Sequence, residues 1–136
     1  MNITILDVEN TTTTKNNKLH LDPYERGNTL VMVGIHELGS ENTSTYIFDH
    51  NDTTRSDDIV SNHYAVQSCL DRTDILVCHN VAYDLIWLWE SGFKYTKGVY
   101  DTMLSQYVMN KGINNSLSLS HLAEYYKCSY LKQDVL

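Results

Sequence analysis

The chain has 136 residues, 42% of them hydrophobic, enough for one domain around one core. No apolar run reaches the length of a membrane span, and the amino end (Met1-Asn2-Ile3-Thr4) has no basic region or hydrophobic signal core, so a cytoplasmic protein with no membrane partner is expected. A net charge of −7 excludes a simple nucleic-acid-coating protein, and three widely spaced cysteines without a CxxC point to free thiols rather than a disulfide framework.

The charge is unevenly spread. Residues 1–93 hold five Lys/Arg against fourteen Asp/Glu, a net of −9. Residues 94–136 hold five Lys against three acids (Asp101, Glu124 and Asp134), a net of +2. An acidic half beside a mildly basic segment fits an enzyme that acts on a polyanion, and equally a soluble protein with uneven surface charge.

Residues 2–8 alternate and are rich in β-branched side chains, which predicts a first strand. Residues 11–29 are polar and predict a loop or the arm of a hairpin. A second strand is expected over 30–38 and a short third over Thr45 to Phe48, the three forming an antiparallel meander. Asp57 or Asp58 can cap a helix through about Leu70, with Ile59, Tyr64, Val66 and Leu70 turned inward. Ile75 to Cys78 reads as a fourth strand. A helix from about Ala82 to Ser91 is apolar nearly all round (Leu85-Ile86-Trp87-Leu88-Trp89), which predicts burial on more than one side. Asp101 caps a helix through about Asn110, and Ser116 or Ser118 opens a last helix to about Lys127, with Leu119, Leu122, Ala123 and Tyr126 at helical spacing. Strands first, then a helix–strand–helix crossover, then more helices: the fold class is α/β, a single domain over 1–136.

Two places carry chemistry. Asp7 and Glu9 are two apart on the first strand, so they share a face with Ile3 and Ile5. Two buried carboxylates side by side need positive charge between them, and a pair of divalent metal ions, roughly 3.5–4 Å apart, is the natural candidate. D-x-E alone is common, and an exposed pair at a strand end is the competing reading. The second place is Asn80-x-x-x-Asp84 after the fourth strand, where α/β sheets place ligands. Asn80 can cap the next helix and is the candidate substrate-binding residue. Asp84 then lies in the first turn, where the helix end favours a carboxylate. Cys78 and His79 have no second ligand at zinc spacing. Lys94, Lys97 and Lys111 are candidate phosphate contacts or plain surface lysines.

Ile-Leu-Asp-Val-Glu-Asn at 5–10, Leu-Val-Met-Val-Gly at 30–34, His-Asn-Val-Ala-Tyr-Asp-Leu-Ile-Trp-Leu at 79–88 and Tyr-Asp-Thr-Met-Leu at 100–104 occur in one order. Together they resemble the 3′–5′ proofreading exonuclease domain of family A DNA polymerases, most of all its bacteriophage branch. The resemblance runs over nearly the whole chain. It implies a ribonuclease-H-like mixed sheet, antiparallel meander plus parallel strand, flanked by helices, in the DEDD exonuclease superfamily. It implies two Mg²⁺ or Mn²⁺ ions, with Asp7 bridging both, Glu9 on one, and Asp84 holding the second directly or through water. It further implies a single-stranded DNA 3′ end as substrate, a polymerase polypeptide as partner and host-cell cytoplasm as location. Asp101 matches a family aspartate that opens a helix, and a structural cap role is assigned to it.

The carboxyl end departs from that pattern. The family's third motif puts a Tyr or His four residues before a fourth carboxylate on a helix. Tyr130-Leu131-Lys132-Gln133-Asp134 is the formal match, two residues from the end and soon after Asp101. The favoured expectation is a domain incomplete at its carboxyl end, stopping before the true motif. Two rival functions follow: an RNA-trimming exonuclease of the same superfamily, and an inactive exonuclease-like subunit completed by a second polypeptide.

Overall fold

The computed structural model describes residues 1–48, 56–113 and 115–128. Its centre is a five-stranded sheet in the order β5-β4-β1-β6-β7. The strands are β1 (Ile3–Asn10), β4 (Leu30–Glu37), β5 (Ser44–Ile47), β6 (Ile75–Cys78) and β7 (Gly98–Asp101). β1, β4 and β5 form the antiparallel meander, while β6 and β7 continue the sheet parallel to β1. This mixed sheet, flanked by helices, is the architecture the resemblance implies.

The polar stretch between β1 and β4 is not bare loop. β2 (Thr13–Lys15) and β3 (Lys18–His20) pair as a separate hairpin. Asn16 and Asn17 turn it with φ of 53° and 59°, the left-handed pair that two-residue hairpin turns require and asparagine tolerates.

Alternation in β1 sorts its two faces. Thr4, Leu6 and Val8 are buried, and the register sets Leu6 opposite Ile35 and Val8 opposite Val33 on one side and Thr4 beside Leu76 on the other. That face forms the core with Leu30 and Cys78. Helix α1 (Ser56–Arg72) closes over it with Val66, Cys69 and Leu70, and Thr73 just beyond bonds Thr4 Oγ1 at 2.7 Å. Two expectations for α1 are corrected. Tyr64 is 70% exposed, because positions 66, 69 and 70 define the inward face and 64 lies off it. Asp57 and Asp58 lie in the first turn of a helix already begun at Ser56, where their charge complements the helix end.

Helix α2 (Val81–Glu90) buries Asp84, Trp87 and Leu88. Its other side faces solvent: Trp89 is 49% exposed and Ile86 36%. Burial on more than one side is therefore not what the fold does, because only one face of α2 meets the sheet. α3 (Thr102–Met109) follows β7 directly. α4 (Leu119–Tyr125) is capped by Ser118, which accepts the His121 N–H at 3.3 Å. α4 buries no residue; Leu119 and Tyr126 are about half exposed, so helical spacing there marks a surface stripe. Tyr130 and Asp134, the formal third-motif pair, lie outside the described residues. Among the described residues no helix is long and apolar enough to cross a membrane.

Candidate active site

β1, β6 and β7 are parallel, so their carboxyl ends share one edge of the sheet, where open α/β sheets bind ligands. Each strand delivers acid there. β1 carries Asp7 and Glu9, β6 leads within six residues to Asp84, and β7 ends on Asp101.

The carboxylates reach this edge differently. Asp7 and Glu9 stand on the face of β1 opposite the core, Asp7 exposed and Glu9 half-buried. Burial of both side by side is not observed, because their face of the strand is the open one. Asp84 is the buried carboxylate, 2% exposed. The last residue of β1 paired with β6 is Ile5, opposite Val77, so beyond it that edge of β1 lacks a strand partner in β6. Asp84 fills the gap: its Oδ1 accepts the Val8 N–H at 3.2 Å. A side chain from the helix thus continues the ladder where the strand stops.

Burial pushes the Asp84 carboxyl up to about 7, and the charge of Asp7 adds to the rise; the Val8 N–H and the Cys78 thiol act against it. Burial likewise drives the Cys78 thiol far above its ordinary value, helped by Asp84, Asp7 and Asp101. Cys78 therefore stays a protonated donor and is no nucleophile. His79 is a brace. Its Nδ1 lies 2.9 Å from Thr102 Oγ1, and its Nε2 lies 2.7 Å from the Leu117 carbonyl.

Asn80 holds the N-cap position of α2 in a left-handed conformation (φ 69°), but its side chain makes no capping bond. Asp101 does that work. Its carboxylate accepts the N–H of Asn80 at 2.9 Å and of Val81 at 3.1 Å. It also accepts from Met103 at 2.9 Å and Leu104 at 3.3 Å, capping α3 as expected. Burial works against the Asp101 charge, yet the donors at Asn80, Leu104, Val81 and Met103 hold its carboxyl below the usual range. The sequence does not show this double grip, because β7 is only four residues long and about half exposed. Lys97 takes the surface-lysine alternative: its Nζ donates to the Asp71 carbonyl at 2.6 Å, just before Gly98 opens β7 at the far edge of the sheet.

The carboxylates at this sheet edge offer oxygen donors, and a carboxylate raised by burial and by a neighbouring carboxylate is a charge arrangement that a hard divalent cation relieves. The fit lies in donor type and placement. Among the described residues no three His, Cys, Asp or Glu side chains are drawn together closely enough to hold an ion.

A mixed sheet with acids at the carboxyl ends of its parallel strands defines an α/β domain of nuclease type. The chain belongs to the 3′–5′ exonuclease family, whose model matches residues 20–134. The match begins after β1 and so does not include Asp7 and Glu9. No curated protein matches the chain. A solved structure of Brucella melitensis NrnC with bound Mg²⁺ is similar in fold, with a TM-score of 0.60 at 17% identity. The similarity covers 97% of this chain and 57% of that one. The fold is thus ribonuclease-H-like.

Proposed function

We propose that this chain is a metal-dependent 3′–5′ exonuclease domain that removes nucleotides from single-stranded DNA ends, in the proofreading service of a phage polymerase. The observation that carries it is the delivery of Asp7, Glu9 and Asp84 to one sheet edge, with Asp84 locked to β1 through Val8. Family membership supports the direction of hydrolysis. The order of the polymerase-like segments supports DNA and the proofreading role.

Asp7, Glu9 and Asp84 would hold two Mg²⁺ or Mn²⁺ ions, which when bound supply Lewis acidity for phosphodiester hydrolysis. The protein's own part is placement. Asp7 and Glu9 project from one face of a strand that is paired with β4 as far as Glu9, where the register shifts. The Val8 N–H fixes the Asp84 carboxylate. Asp101 holds the Asn80 turn by its backbone, leaving the exposed Asn80 side chain to meet the terminal nucleotide. Substrate contact is sequence-neutral, through phosphates and stacked bases.

The test is cleavage of matched 3′-overhang DNA and RNA with Mn²⁺. Faster loss of DNA is expected; faster loss of RNA replaces the polymerase role by RNA trimming. A second reading, a subunit completed by another polypeptide, is favoured by the lack of a closed three-ligand group among the described residues. It requires that Mn²⁺ bind without cleavage until that polypeptide is added.

A further inference from the structure

Glu9 has a neighbour on each side that is held by helix α2. Before it, Val8 donates its N–H to Asp84. After it, Asn10 accepts the Tyr83 hydroxyl on its side-chain oxygen. Tyr83 and Asp84 are consecutive, so two adjacent residues of α2 bracket Glu9 on the strand.

The bracket falls where the sheet itself stops setting position. The β1–β4 register runs regularly to Glu9 opposite Met32, then shifts, with Asn10 opposite Leu30. A register shift of this kind re-aims the side chains beside it. The regular ladder therefore ends at Glu9, and contacts just beyond it share in setting where its side chain points. The Tyr83–Asn10 bond is anchored in turn. The Leu21 carbonyl accepts from Asn10 Nδ2 at 3.3 Å, from the Tyr83 hydroxyl at 3.3 Å and from Trp87 Nε1 at 3.1 Å. One carbonyl of the segment between β3 and β4 thus ties the end of β1 to two turns of α2.

We infer that Tyr83 is a positioning residue: its hydroxyl, through Asn10, sets the spacing of Glu9 against Asp84 and so tunes metal binding at the site. This rests on the assignment of those carboxylates as ligands. The test is Mn²⁺ titration by calorimetry on wild type, Tyr83→Phe, Asn10→Ala and the double variant, with Asp7→Ala as control. Phenylalanine keeps the ring in its half-buried seat and removes only the hydroxyl. Tyr83→Phe is expected to weaken Mn²⁺ binding by up to about tenfold, the low end for a partner bonded directly to a ligand, since Tyr83 acts one residue removed, through Asn10. Asn10→Ala removes the same bond together with the Asn10 amide's bonds to the Thr11 and Leu21 carbonyls, so it should weaken binding at least as much, and adding Tyr83→Phe to it should cost little more, since the bond the two share is already gone. Unfolding of the chelated Tyr83→Phe protein should stay close to wild type, which separates positioning from general stability. Wild-type affinity in Tyr83→Phe, or additive losses in the double variant, overturns the inference while the metal site stands. If Asp7→Ala binds Mn²⁺ as wild type does, the ligand assignment fails and the inference fails with it.

Discussion

The Asp84 carboxylate substitutes for a missing strand, accepting the Val8 N–H 3.2 Å away where β6 no longer pairs with β1. This makes one buried acid both a structural bond and a candidate ligand; both roles favour its charged form, against the burial and the Asp7 charge that raise its carboxyl.

The first consequence is a pH dependence in the chelated protein. An unfolded Asp loses its proton near 3.9. Burial and Asp7 raise the folded Asp84 to about 7. Between those values the native state holds the extra proton, so the contribution of Asp84 is full below the unfolded value and is lost as pH rises through about 7. The loss is on the order of 3–4 kcal/mol. Asp84→Asn keeps an acceptor for Val8 and should flatten that slope. Urea unfolding at pH 5 and pH 8 checks it; equal slopes in the two proteins would refute the assignment.

Asp101 should matter to fold more than its half-exposed position implies. Four backbone N–H groups, two at each of two helix starts, converge on it. At about 1 kcal/mol per helix cap, Asp101→Ala should cost roughly 2–3 kcal/mol. Its lowered carboxyl places this stabilisation above the ordinary aspartate range, lost as pH falls below it. Hydrogen exchange at Asn80 and Val81 should rise together with exchange at Met103 and Leu104.

The two sides of α2 predict different costs. Leu88 is fully buried, so Leu88→Ala should destabilise by about 2–5 kcal/mol. Ile86 lies on the exposed side, and Ile86→Ala should cost under about 1 kcal/mol. Denaturant midpoints read both.

Gly98 opens β7 at the edge of the sheet away from the acids. A Cβ there would lie 3.0 Å from the Asp74 carbonyl, a backbone atom that cannot step aside easily. Gly98→Ala should therefore cost about 1–3 kcal/mol while leaving Mn²⁺ affinity unchanged in the folded protein. Thermal unfolding and calorimetry separate the two effects.

Much of this was visible in the residues, and for physical reasons. Alternation with β-branched side chains located β1, a continuous apolar run located β4 with β5 following its turn, and the Asp101 cap followed from its place before an apolar helix. Shared parity put Asp7 and Glu9 on one face, but parity does not say which face is open. That depended on where α1 and α2 lie. β7 is four residues with Val99 and Tyr100 about half exposed, too short and too little buried to show a period. The bonds from Asp84 to Val8 and from Tyr83 to Asn10 span more than seventy residues, and no local pattern encodes them. Of the two readings open for Lys97, surface lysine or phosphate contact, the bond of its ammonium to a helix-end carbonyl agrees with the first.

The measurement to make is incubation of the full chain with 5′-labelled single-stranded DNA and Mn²⁺, beside Asp7→Ala. A ladder of labelled products shortened stepwise from the 3′ end, absent in Asp7→Ala, is the expected result. Equal shortening by Asp7→Ala would contradict the site, and fragments cut internally would contradict the exonuclease reading.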